Sequence, residues 1–263
     1  HQIGVGQPLG QFYGYVTEGL YQVSDFDYDP TTQKYTLKEG IPYHGDKASI
    51  QPGYWKFKNV DGSEDNLITE NDKTVIGNAS PNFYGGINNT FAYKNFDLSI
   101  FLTYSYGGEV LNATKLTNTK TALTNKNVLA IASETNRWVT INNDGNIITD
   151  PEELATVNAG KTVACFDDNG SNNTYIHSWA IEDASFLKLS NVTLGYTFPK
   201  RIINKIGLSK LRVYATGNNL FTWSPYTGFD PEVSTMSSPL TPGVDFGAYP
   251  RSRSFVFGIN VSF

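Results

Sequence analysis

Six stretches of the chain alternate apolar and polar residues with the period of two that marks a half-buried strand. They lie at residues 10–22, 84–94, 97–107, 184–198, 210–221 and 254–263. In the third, Phe96, Leu98, Ile100, Leu102, Tyr104 and Tyr106 share one face. Asp97, Ser99, Thr103 and Ser105 share the other, interrupted only by Phe101. In the fourth, Val192, Leu194, Tyr196 and Phe198 are in phase. The last sets Phe255, Phe257, Ile259, Val261 and Phe263 against Ser254, Val256, Gly258, Asn260 and Ser262. The prediction is an all-β, antiparallel chain whose strands each present one large apolar face.

The connections between these strands are unequal. Residues 23–83, 107–183 and 220–251 are long and rich in Asn, Asp, Gly and Pro, whereas the links at 94–95 and 199–209 are short. Loops longer than about 15 residues are uncommon in compact soluble domains. Long loops at one end and tight turns at the other are normal in outer-membrane barrels. Ten residues at about 3.3 Å each, tilted by about 45°, cover roughly 23 Å, close to the apolar band of such a barrel. A soluble β-sandwich would show the same alternation.

Composition narrows the classes. The chain has 263 residues, of which only 17% are charged and 14% aromatic, with 16 Tyr, 16 Phe and 24 Gly. That blend favours strands and turns. A net charge of −5 offers no basic footprint for nucleic acid. Cys165 has no cysteine partner, so neither a disulfide nor a Cys-rich zinc site is available. The apolar runs fall short of the roughly 20 residues a membrane helix needs, which leaves a β-barrel open. The chain begins at His1 without a visible targeting segment, so a processed chain or a fragment is expected.

Six ordered blocks go beyond pattern: VGQPLGQFYGYVTEGLYQ (5–22), ITENDKTVIGNASPNF (68–83), YKNFDLSIFLTYSYG (93–107), EDASFLKLSNVTLGYTFPK (182–200), LRVYATGNNLFTWSPYTGFDPEV (211–233) and YPRSRSFVFGINVSF (249–263). They closely resemble the C-terminal part of the SusC/RagA family of TonB-dependent outer-membrane transporters, leaving mainly 23–50 and 108–181 unmatched. The resemblance implies residues 1–263 as the C-terminal section of a plugged transmembrane barrel of about 22 strands, contributing about six of them. Signal peptide, plug and first strands would lie N-terminal to it. It further implies active import of oligosaccharides or peptides across the outer membrane of a Gram-negative bacterium. The partners would be a SusD-like surface lipoprotein, TonB through the N-terminal region, outer-membrane lipid and, at the terminal Phe263, the barrel-assembly machinery. With a periplasmic C-terminus, the three long loops become extracellular. The competing reading is a secreted soluble β-sandwich that binds carbohydrate and carries a calcium loop. A passive porin would instead lack the plug.

Two constellations carry candidate chemistry. The stretch 61–72 places Asp61, Ser63 and Asp65 at positions 1, 3 and 5 of an EF-hand-like loop, the Leu67 carbonyl at 7 and Asp72 at 12. Hard oxygens at that spacing suit Ca²⁺, although Asn66 replaces the turn glycine and Asp72 is shorter than the usual Glu. The other reading is an acidic loop of Asx turns. Trp55, Trp138, Trp179, Trp223 and Tyr226 lie in or beside the long loops, where aromatic faces can stack on sugar or meet the lid protein. Aromatics at strand ends also form interfacial girdles. An enzyme is not expected: His1, His44 and His177 are scattered, with no His-Glu-x-x-His pair and no Gly-x-Ser-x-Gly elbow. Glu152 and Glu153, after Asp150 and Pro151, read as the acidic first turn of a helix rather than a catalytic pair. Asn-x-Ser/Thr triplets at Asn88, Asn112, Asn191 and Asn260 fit an Asn/Thr-rich composition.

Overall fold

The computed structural model describes residues 1–119, 127–165, 175–235 and 238–263. Its largest element is a five-stranded antiparallel wall in which neighbours in sequence are neighbours in space. The strands are Phe83–Tyr93, Phe96–Tyr106, Phe186–Thr197, Lys210–Trp223 and Ser254–Ser262. The first two meet through the two-residue link Lys94-Asn95, where Lys94 takes a left-handed backbone (φ 52°). The Asn95 side chain donates to the Thr197 carbonyl at 2.8 Å, tying that turn to the third strand. A short helix, Lys200–Ile203, and the turn after it make the other tight link.

Register puts the residues of the alternation on two faces. Leu98 pairs with Phe91 on one side and Leu194 on the other, and Leu194 pairs with Ala215, which pairs with Phe257. One residue along, Ser99 pairs with Thr90 and Thr193, and Thr193 with Thr216. Irregularities at Phe101/Leu102 and between Leu189 and Asn191 preserve this division across the wall. The apolar face is open: Phe91 is 57% exposed, Ile259 67% and Phe257 79%. Among the described residues the remaining sheets have two or three strands each, and no second large sheet covers that face. The soluble sandwich is therefore not the fold; this face is built to meet a solvent other than water.

The strand expected over residues 10–22 is a correction. It divides into Gln11–Gly14 and Thr17–Leu20, which pair with Thr74–Asn78 and Trp55–Phe57 rather than with the wall. The alternation holds only through Gly14, where Gly10, Phe12 and Gly14 are buried in protein; beyond the break Tyr15, Leu20 and Tyr21 are nearly inaccessible without a period of two. A Cβ on Gly14 would collide with the Ile176 carbonyl, so the chain crosses residues 176–178 closely at this break. Among the described residues the wall thus has five long strands, and residues 10–22 are not one of them.

The long connections are not free loops. Segments before, between and after the wall strands pack together into a cap with its own aromatic core, including Tyr15, Tyr21, Phe26, Tyr54, Trp55, Phe57, Trp138 and Leu154. Trp55 stands 4.8 Å from both His177 and Trp179, and Phe57 stacks on Tyr15 at 5.2 Å. The helix Pro151–Val157 begins as read from sequence, with the Asp150 carboxylate accepting from Glu152 N at 2.9 Å. Beyond its end, buried Asn158 accepts from the Val139 amide and donates to the Val139 and Leu154 carbonyls, fastening helix to loop. No helix among the described residues is long and apolar enough to cross a membrane.

Candidate functional site: a polar wall beneath a loop cap

The second face of the wall is hydrogen-bonded from strand to strand. Asn191 donates to Asn218 at 2.7 Å, and Asn218 to Ser254 at 3.1 Å. The hydroxyls of Thr193 and Thr216 lie 2.8 Å apart, and those of Thr103 and Ser190 2.7 Å. Near the end with the tight turns, Arg212 reaches across the third strand to Asp97, its Nε donating to Oδ1 at 3.0 Å and an Nη to Oδ2. Gly195 lies between the two, and a Cβ there would run into both side chains. The fork geometry of Arg against a carboxylate fixes both groups in one plane. The face is a wettable surface with an oriented charge pair, as a lumen requires and as a lipid-facing surface forbids.

At the cap end, Lys188 is the buried charge of this face. Its ammonium meets Glu232 at 2.6 Å, and Arg251 approaches the same carboxylate at 3.5 Å. Asp230 caps the turn, accepting from Glu232 N at 3.0 Å. The segment after the fourth strand is thereby held down over the polar side of the wall.

A second cluster joins the cap segments to one another. Lys115, on the short helix Ala113–Asn118, contacts the Glu182 carboxylate and the Trp179 carbonyl at 3.0 Å each. Its ammonium also stands 4.2 Å from the centre of the Trp179 ring. The other Glu182 oxygen accepts from the Thr227 hydroxyl and amide, and Asn112 bridges to Glu182 and to Lys115 N. Burial alone would raise the Glu182 carboxyl, but the Thr227 bonds and Lys115 hold it below the usual range. Tyr226 donates to Asp245 at 2.6 Å, and burial followed by that carboxylate pushes its phenol well above the ordinary value.

These placements show where each sequence candidate sits. Trp55 and Trp138 are 2% and 1% exposed, Trp138 lying flat against Gly53, so their faces are covered by protein. Trp179 is half-buried under Lys115, and Tyr226 is buried on Asp245. Trp223 lies on the apolar side at the strand end, stacked with Phe221. Phe263 is 93% exposed, and its carbonyl accepts from the Ser209 hydroxyl at 3.2 Å. In the acidic loop, Asp61 and Asp65 are exposed and accept from the amides of Ser63 and Leu67, as Asx turns do. Asp72 is fully buried: Oδ1 accepts from Val60 N at 2.8 Å and Asp61 N at 3.3 Å, Oδ2 from Thr69 N at 2.7 Å. With both oxygens so engaged, Asp72 does not fit a bidentate twelfth ligand. Among the described residues no three His, Cys, Asp or Glu side chains converge as a metal site requires.

Sequence reasoning missed the Asp97–Arg212, Lys188–Glu232 and Lys115–Glu182 pairs. A signal existed in part: Asp97 and Arg212 are charges inside strands in the phase of the polar face, whereas Lys188 is in phase with Val192 and Leu194 and reaches the polar face only through the irregularity between Leu189 and Asn191. Lys115 sits where no block or periodicity pointed.

Comparison with known proteins agrees with this architecture. No family model matches the chain. It is 32% identical over 263 residues, 98% of its length, to the TonB-dependent receptor P3 of Formosa agariphila. It is 29% identical to the receptor P39 of the same organism, and 28% identical over 206 residues to the TonB-dependent receptor SusC of Bacteroides thetaiotaomicron. The chain spans only 17–25% of the length of these relatives. In fold it matches the RagAB peptide importer in its closed-closed state with a TM-score of 0.62 over 96% of the chain and 23% of that structure, at 21% identity. A two-faced antiparallel wall, a folded cap at one end and these likenesses together make the chain similar to a section of the SusC/RagA-like TonB-dependent receptors.

Proposed function

We propose that this chain forms part of the barrel wall and extracellular cap of a TonB-dependent importer in the outer membrane of a Gram-negative bacterium. The observation that carries this reading is the division of one sheet into an open apolar face and a hydrogen-bonded polar face. In the proposal the apolar face meets lipid, the polar face lines the lumen, and the cap looks outward. The tight links at 94–95 and 199–209 then lie on the periplasmic side, and the unpaired edges of the first and fifth wall strands receive further strands of the barrel. The cargo is an oligosaccharide or a peptide, received beneath a SusD-like surface lipoprotein and drawn inward by energy relayed through TonB. In this reading, Lys188, Glu232 and Arg251 set how far the last long loop leans into the mouth. The chain contributes passage and shape rather than bond chemistry.

Deletion of the gene tests the cargo class. Loss of growth on one class of glycan or peptide as sole carbon source, with restoration on complementation, is the expected result. Unchanged growth and uptake on every glycan and peptide offered would sink the importer reading. Calcium in the acidic loop remains a separate proposal carried by Asp61, Ser63, Asp65 and the Leu67 carbonyl, since Asp72 would first have to give up three backbone bonds.

A further inference from the structure

At the cap end, the apolar face of the wall finishes in a belt of aromatic rings with one cation among them. Phe83 and Tyr106 stack at 5.1 Å between centroids on the first two strands, and Phe221 and Trp223 at 6.0 Å on the fourth. Between the pairs the surface is indented by an open groove of about 360 Å³, lined by Phe83, Tyr104, Tyr106, Leu187 and Trp223 among others. Arg253, immediately before the fifth strand and in phase with Phe255, holds its guanidinium 5.5 Å from the centre of the Phe221 ring. Its neighbour Arg251 is engaged with Glu232, but Arg253 is paired with no carboxylate among the described residues.

The geometry points to a bound phosphate-bearing lipid of the outer leaflet, its phosphate on Arg253 and an acyl chain in the groove beside Trp223. This rests on the membrane reading of the wall. Each part of the belt suits one part of such a lipid. Aromatic rings settle at headgroup level, where one side of the ring is wet and the other apolar. A planar guanidinium matches phosphate oxygens and is weakly hydrated, so it gives up water for an anion readily. Its contact with Phe221 fixes the guanidinium above the apolar side of the wall rather than above the lumen. The groove beside Trp223 is largely apolar and is lined from four wall strands, which suits a flexible hydrocarbon chain and not a polar ligand. A zwitterionic headgroup would supply its own cation and leave Arg253 less to gain.

The full-length transporter reconstituted in nanodiscs provides the test, with brominated-acyl phosphatidylglycerol and phosphatidylcholine as probes. The difference in tryptophan quenching between the native protein and Trp223→Phe isolates the signal of Trp223. The brominated anionic lipid is expected to quench it about fivefold more effectively at equal mole fraction, the preference one basic residue confers toward anionic lipid. Arg253→Ala should make the two lipids equivalent, Arg253→Lys should keep part of the preference, and Arg251→Ala should leave it intact. Equal quenching by both lipids in the native protein would overturn the lipid site while leaving the wall in the membrane. No Trp223-dependent quenching by either lipid would overturn the membrane orientation itself.

Discussion

In the cap, Trp55, Phe57 and Trp138 are at most 2% exposed; in the wall, Phe91, Phe257 and Ile259 are at least 57% exposed. The charges reverse as well. The cap buries Lys115 against Glu182 and engages Asp72 with three amides, whereas the wall carries Asp97 and Arg212 on an accessible polar face and buries Lys188 only where the cap segment covers it. One chain has thus been built for two solvents. Where large rings are hidden and polar groups are individually satisfied, water is the outer medium. Where rings are outermost and polar groups gather on the opposite face, the outer medium is apolar. Exposure of large apolar side chains, which would condemn a soluble domain, is here the signature of correct assembly.

The comparison breaks most severely if the cap pair is cut. Glu182→Ala should destabilise the cap by about 3–5 kcal/mol, because it strands a buried ammonium. Hydrogen exchange at the amides of Lys115 and Thr227 in the full transporter would report this, with the wall amides unchanged. The same pair gives the cap a pH limit. The Glu182 carboxyl is held low in the folded state, so its contribution is fully present above the unfolded value of about 4.3 and fades as pH falls through the lower folded value. Cap protection that is flat from neutrality to below pH 4 would contradict that assignment.

On the wall the polarity of the medium can be read directly. Ile100→Lys should cost about 2–4 kcal/mol in a bilayer, while Ser99→Lys on the neighbouring face should cost under about 1 kcal/mol. Reversible unfolding in lipid measures both, and equal costs would erase the distinction between the faces. Asp72→Ala should weaken the 59–72 loop by about 1–3 kcal/mol through its unsatisfied amides, with or without a calcium chelator. A loss seen only in the presence of calcium would return Asp72 to the role of ligand. The smallest effect is expected at Asp97→Ala. This pair is 21% and 36% exposed, so removing it should change stability by no more than about 1 kcal/mol. A larger loss would mean that this polar face is drier than the fold implies.

Much of the wall was legible in advance. The alternation through Phe96–Tyr106 gave both faces, and the unequal links located the end that carries the cap. The misreading at residues 10–22 has a plain cause. A strand buried on one side by protein and a strand facing lipid have the same period, and only their neighbours separate them. The tryptophan candidates could not be placed for a similar reason. Trp55 and Trp138 sit in loops by sequence, but the cap core that covers them is assembled from segments more than 80 residues apart.

What the sequence by itself determined is the strand period, the two-faced character of the wall, the turn at Lys94-Asn95 and the acidic helix start after Asp150. These depend on side chains near one another along the chain, so local order suffices to state them. Only the tertiary structure decided that the long connections form a cored cap, that Asp72 closes its loop through backbone amides, and that Arg212 meets Asp97 over Gly195. Each of those joins groups through packing and hydrogen-bond geometry in three dimensions. No spacing rule along the chain encodes where two such groups will meet.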